Sequence, residues 1–142
     1  MLFELAKYFI SRIIIYEMIE QYGAGKKNEK HRHTPDMSKV KRYASQERHK
    51  QRQAEHRGKT VTLYKPEPAT DSKTKKLQVY VEDPDTKKIK KVSFGHSQYE
   101  DYTRHGDTDR KDDYCARSKG LKGTNDVTSA NYWSRKVLWN CP

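Results

Sequence analysis

The sequence predicts a small α+β fold: a β-hairpin or three-stranded sheet with two C-terminal helices, plus an N-terminal amphipathic helix and an extended basic arm. Three observations carry this. Leu77, Val79 and Val81 alternate with polar residues and are followed, across an acidic turn, by a second β-rich run. The aromatic and charged residues between Ser93 and Trp139 fall into short helical segments that begin at capping residues. Apolar residues cluster in 1–22, 60–64, 77–94 and 127–139 and are scarce elsewhere.

The 142 residues are 32% hydrophobic and 35% charged, and the mean hydropathy is -1.22. Such a composition supports one small core, with extensions that gain order from a partner. The net charge of +11 favours a polyanion: nucleic acid, an anionic membrane or an acidic protein surface. A basic protein without a specific polyanion is the plainer alternative. The chain divides into a docking helix over 1–22, a basic linker or arm over 23–59, and a folded domain over 60–142.

At about 100° per residue, Leu2, Phe3, Leu5, Ala6, Phe9, Ile10, Ile13 and Ile14 share one broad helical face. Ile15, Met18, Ile19 and Tyr22 fall nearly opposite, and Glu17 and Glu20 interrupt the first face. A helix of this kind wedges between two neighbours or pairs with copies of itself. Phe3, Phe9, Ile10, Ile13, Ile14, Met18 and Ile19 are therefore candidate subunit contacts. Docking on the chain's own core is the alternative. A membrane is disfavoured: Glu4, Lys7, Arg12, Glu17 and Glu20 break the run of about 20 apolar residues that a span needs, and the polar face is not lysine-rich. Neither a basic leader nor a small-residue cleavage site suggests a secretory signal. Gly23 and Gly25 end the helix.

From Lys26 to Lys59 there are twelve Lys or Arg against four Asp or Glu, which is +8 of the +11. Residues 38–57 have helical propensity, with Ser38 as N-cap, but a helix polar on every face is marginal alone. This arm is expected to order on a partner, and phosphate suits it. Lys26, Lys27, Lys30, Arg32, Lys39, Lys41, Arg42, Arg48, Lys50, Arg52 and Arg57 are the candidate contacts to nucleic acid or an acidic partner. A solvated linker carries equal weight.

Residues 60–64 alternate as a strand and are stopped by Pro66 and Pro68. The hairpin pairs 77–81 with 89–94 across a turn in which Pro84 presets φ. Tyr99 and Tyr102 lie one turn apart in a short helical piece. Asp107 or Thr108 caps a helix over 109–118, ended by Gly120, and 119–125 is a loop. Thr128 or Ser129 caps a last helix running to about Trp139. Its core side holds Ala130, Trp133, Val137 and Leu138. Tyr132 and Trp139 lie opposite, one packing inward and one meeting a partner, with Trp139 the exposed one; both are candidate subunit contacts.

Reactive groups are present without a recognisable constellation. His96, His105, Cys115 and Cys141 are enough donors for zinc, but none has a C-x-x-C or H-x-x-x-H spacing, so structural roles are favoured. The two cysteines could pair; free, partly buried thiols are the favoured reading. Asp101, His105 and Asp109, with Arg110 and Arg117, could form an acid–base cluster on a phosphate. They lie in a loop and a helix opening, where acidic residues ordinarily cap, and Asp109, Arg110 and Asp113 fit pairing within a helix. No P-loop, dinucleotide-binding glycine pattern or nucleophile elbow occurs. The reading is of a non-enzyme with no cofactor and no small-molecule substrate. Tyr132, Trp133, Arg135 and Trp139 could stack on bases, but in so small a domain such aromatics more often fill the core.

The ordered pattern is more specific than its parts. It runs Val92-Ser93-Phe94-Gly95, Tyr99-Glu100-Asp101-Tyr102-Thr103, His105, Asp109-Arg110-Lys111, Tyr114, Ala116-Arg117, then Ala130, Tyr132-Trp133-Ser134-Arg135 and Leu138-Trp139-Asn140. This run, from Leu77 to Trp139, resembles a small domain of uncharacterised function found in tailed bacteriophages and large double-stranded DNA viruses. The large-virus relatives carry a basic His-Lys stretch where this chain has Ser118-Lys119-Gly120-Leu121, and the resemblance does not reach residues 1–59. It implies a virus-encoded protein that forms part of a virion. The expected function is a minor virion structural protein of a tailed phage, stapling or lining the capsid or its portal-proximal region through extended arms. Its expected partners are other virion structural proteins in a multi-copy assembly, and packaged double-stranded DNA; its location is the virion, with the host cytoplasm during assembly. The alternative is a basic nucleic-acid-binding accessory protein of a virus.

Overall fold

A computed structural model describes residues 32–142. The helix expected over 1–22, with Phe3, Phe9, Ile10, Ile13, Ile14, Met18 and Ile19, lies outside the described residues, as do Lys26, Lys27 and Lys30. In chain order the elements are α1 (Met37–Tyr43), which continues as a 3-10 helix (Ala44–Lys50), β1 (Gln53–His56), β2 (Lys59–Thr62), β3 (Glu67–Pro68), β4 (Lys75–Glu82), β5 (Ile89–His96), α2 (Tyr102–His105), α3 (Thr108–Lys119) and α4 (Ala130–Trp133), which widens into a π-helix (Ser134–Leu138). The fold is α+β, with a three-stranded antiparallel sheet in the order β3-β4-β5 and a separate β1-β2 ribbon.

The alternation in β4 builds the centre. Leu77 sits opposite Phe94, and Val79 opposite Val92, so one face of the hairpin is apolar. Trp133, Val137 and Leu138 pack on that face, and Val40 and Ala44 complete the core. The Trp133 indole N–H donates to the Val127 carbonyl at 2.7 Å, which pairs its one polar atom. Ala130 is exposed, contrary to the helical projection, because it opens the helix at the rim and the core begins one turn later. Caps account for the helix starts: Asp107 accepts from the Arg110 amide, and Ser129 from the Asn131 amide.

The largest departure from expectation concerns 32–59. These residues are not an arm: the compact unit begins at Arg32, and Val40 is fully buried. Met37, Val40 and Ala44 recur at helical spacing and give the short α1 segment an apolar stripe. Asp36, rather than Ser38, is the cap, accepting from the Ser38 amide at 3.0 Å. Nor does the helix run to Arg57. Arg57 and Gly58 adopt left-handed φ of 49° and 76°, as a two-residue hairpin turn requires, and glycine takes the second at no cost. Gln53 then donates to Thr62 (3.2 Å) and Thr60 to Glu55 (2.8 Å) across the ribbon.

Glu47 ties the 3-10 helix to the last helix. It is buried, accepts from the Tyr132 hydroxyl at 3.1 Å and from the Lys136 ammonium, and has Lys50 Nζ 3.0 Å from its second oxygen. Burial alone would raise its pKa, but the hydrogen bonds and charges of Lys136 and Lys50 prevail and hold it at about 2. A folded pKa below the unfolded one stabilises above the unfolded value, and this is lost as pH falls from about 4.5 towards about 2. The expected contribution at neutral pH is roughly 3 kcal/mol. Urea unfolding at descending pH should show Glu47→Gln less stable at neutrality and less acid-sensitive than the parent. Equal acid sensitivity in the two proteins would contradict this account.

Candidate functional site

A buried ion pair organises the region where β4, β5 and the helices meet. Lys76 and Asp101 have side chains only 2% exposed, and their charged groups lie 2.6 Å apart. The Lys76 ammonium also donates to the Tyr99 carbonyl, so the loop after β5 is clamped to the start of β4. Asp101 caps α2 through its other oxygen, accepting from the Thr103 amide at 3.0 Å and from the Thr103 hydroxyl. Thr103 in turn accepts from the Asp36 amide at 2.9 Å, and its carbonyl accepts from Lys39 at 2.9 Å. Asp101 therefore serves structure and is not an open carboxylate.

The opposite side is tied by Arg135 and a disulfide. Buried Arg135 donates to the Cys115 carbonyl and the Ser118 hydroxyl, both at 2.6 Å, joining the π-helix to α3. Cys115 and Cys141 are bonded to each other, with Cα atoms 5.6 Å apart. The expectation of free thiols is thereby corrected: α3 packs beside the chain end closely enough for the bond. With both sulfurs engaged, His96, His105, Cys115 and Cys141 form no ligand set. Among the described residues, no three His, Cys, Asp or Glu converge on a metal position.

Aromatic rings line the space between. Tyr114 stacks on Trp139 at 4.1 Å and 9°, and His105 packs on the same indole at 5.3 Å. Burial raises the Tyr114 pKa. Burial first, and then the Arg110 charge, push the His105 imidazole below its usual value; its Nδ1 accepts from the Asp107 amide at 2.9 Å. Asp101 and His105 are thus each engaged locally, Asp101 with Lys76 and Thr103 and His105 with the Asp107 amide. Tyr102 receives the Lys111 ammonium over its ring at 5.1 Å.

These elements enclose a cleft of about 470 Å³. One wall is Lys75, His96, Tyr99 and Glu100; the other is Arg110, Tyr114 and Arg117. Leu138 and Trp139 lie at its base, with Ser134 of the π-helix, a distortion that is common at functional sites. Gly95 is required here. Its φ is +74°, and a Cβ would lie 2.6 Å from Leu138 Cδ1. Arg110, Tyr114 and Arg117 recur at i, i+4 and i+7 on one face of α3. Among the described residues, neither arginine has an ion pair or side-chain hydrogen bond, and the same holds for the Lys75 ammonium. The pairing of Arg110 with Asp109 or Asp113 expected from spacing is absent. Lys76, by contrast, is neutralised by Asp101.

The residues singled out in sequence are distributed differently. Arg32 donates to the Lys75 carbonyl (3.0 Å), Lys39 to Thr103, and Lys50 and Arg52 pair with Glu47 and Glu82. Lys41, Arg42, Arg48 and Arg57 are exposed and scattered. Tyr132 and Trp139, expected at a subunit contact, are partly buried against the core, one bonded to Glu47 and the other stacked on Tyr114. Lys75 and Tyr99 escaped the sequence reading as site residues. The repeat Arg110, Tyr114, Arg117 is the signal that could have pointed to the α3 wall. Among the described residues, no helix is long and apolar enough to cross a membrane.

Residues 69–118 match the model of a family of unknown function, DUF5754. The matched segment runs from the approach to β4 to the end of α3, and so contains Lys75, Tyr99, Arg110 and Arg117. No curated protein and no solved structure matches the chain.

Proposed function

We propose that this chain is a basic, non-enzymatic accessory protein that binds nucleic acid in the cleft between α3 and the ends of β4 and β5. The observation that carries this is the convergence of three cations, Lys75, Arg110 and Arg117, without partners among the described residues, around an aromatic base. Cations held in a concave site attract phosphate more strongly than the same charges dispersed on a convex surface. The net charge of +11 adds a long-range attraction of the same sign. Arg110→Glu/Arg117→Glu is expected to weaken DNA binding and to flatten the dependence of log affinity on log salt, by about one unit for each phosphate that is no longer neutralised. Arg42→Glu/Arg57→Glu makes the same charge change away from the cleft and should cost much less. Equal losses from the two double variants would refute the cleft as the site.

A second reading places the protein in a virion as a minor structural component, in contact with other virion proteins and packaged DNA. The disulfide favours it, because such bonds persist on virions and outside reducing cytosol, and so does the resemblance of 77–139 to viral domains. Many weak contacts suffice when copies are arrayed. Mass spectrometry of purified particles should find the chain at a fixed copy number relative to the major capsid protein, and its absence would remove this reading.

A further inference from the structure

We infer that the cleft is built for single-stranded rather than duplex nucleic acid, with Tyr99 as the ring on which a base stacks; this rests on the nucleic-acid reading above. Tyr99 is 69% exposed, a large ring left in solvent where burial would stabilise the fold. Its position is nevertheless defined. The Tyr99 carbonyl accepts from the buried Lys76 ammonium, the next residue but one is the buried Asp101, and the His96 ring lies 5.2 Å away. A ring presented on a clamped backbone loses little conformational freedom when it binds. The fold thus holds out, at the mouth of a cationic cleft, the type of side chain on which unpaired bases stack.

The other surroundings select the same ligand. A duplex turns its phosphates outward and hides its base faces, so it would engage Lys75, Arg110 and Arg117 and leave the exposed Tyr99 ring without a role. A single strand offers both a ring face and phosphates. At about 470 Å³ the cleft has the scale of one small ligand, so it admits a single base, whereas a double helix could only lie across its mouth. On the Tyr99 wall the Glu100 carboxylate, 3.9 Å from His33 Nδ1, offsets the charge of Lys75, whereas the α3 wall lines the cleft with Arg110 and Arg117 and no carboxylate. The backbone therefore runs along the α3 wall, over Arg110 and Arg117, with the base turned towards Tyr99.

The test compares a fluorescein-labelled oligothymidylate with a duplex of equal length, at one salt concentration, by fluorescence anisotropy on the full chain. The single strand should bind at least severalfold more tightly. Tyr99→Ala should weaken single-strand binding about tenfold and leave duplex binding unchanged, while Tyr99→Phe retains the parent affinity. Because the ring is exposed, neither variant should shift Tm. Preference for the duplex, or an equal effect of Tyr99→Ala on both probes, overturns the single-strand assignment and leaves the nucleic-acid reading intact. Failure of both probes to bind overturns both.

Discussion

Asp101→Ala is expected to destabilise the domain by about 3–5 kcal/mol, because it leaves the Lys76 ammonium buried without a counter-charge. The same change removes the α2 cap and the acceptor for Thr103, which holds Asp36 and Lys39. The sign of the pair's net contribution is a separate matter. Two charges taken out of water lose hydration that their attraction only roughly repays, so removing both can be nearly neutral. Lys76→Met/Asp101→Asn keeps the stem packing and a cap-competent side chain while deleting both charges. Urea unfolding should place this double variant within about 1–2 kcal/mol of the parent and well above Asp101→Ala. A double variant as unstable as the single one would show that attraction, rather than an orphaned charge, dominates.

Opening the disulfide should cost about 3.5 kcal/mol, the loop-closure value for a bridge spanning 26 residues. For a domain of this size that lowers Tm by more than about 10 °C. The cost concentrates on one side of the cleft. The bond holds the chain end beside α3, where the Cys141 amide donates to the Arg135 carbonyl at 2.9 Å and Arg135 donates back to the carbonyl of Cys115. Cys141→Ser, and the parent in a thiol reductant, should melt at the same lower temperature. Cys141→Ser should be indifferent to the reductant. If the reductant leaves the parent's Tm unchanged, the bridge contributes nothing to its stability.

The hairpin and the helix caps were legible because their signals act between near neighbours. Alternation at Leu77, Val79 and Val81 needs only the pleat, and the Asp107 and Ser129 caps need only the amides two or three residues on. Residues 32–59 misled because charge dominates their composition, while three apolar residues, Met37, Val40 and Ala44, suffice to dock a short helix once the last helix is there to receive them. The cleft was half legible. In sequence, Arg110 and Arg117 read as phosphate ligands only within an acid–base cluster, which is set aside in favour of caps and pairing within the helix. Whether a cation is spent in a pair depends on which carboxylate the fold brings to it. Lys76 is neutralised by Asp101 from 25 residues away, while Arg110, beside its own helix's aspartates, has no ion pair among the described residues.

Fold class, hairpin and strong positive charge could all be read from the residues alone, since each follows from local pattern or from composition. Three further outcomes required the folded chain: Cys115 meets Cys141, Tyr132 and Trp139 pack against the core, and Lys75, Tyr99, Arg110 and Arg117 surround one cleft. Those outcomes depend on distances between residues remote in the chain, which are set by how helices settle on a sheet face and not by the residues themselves.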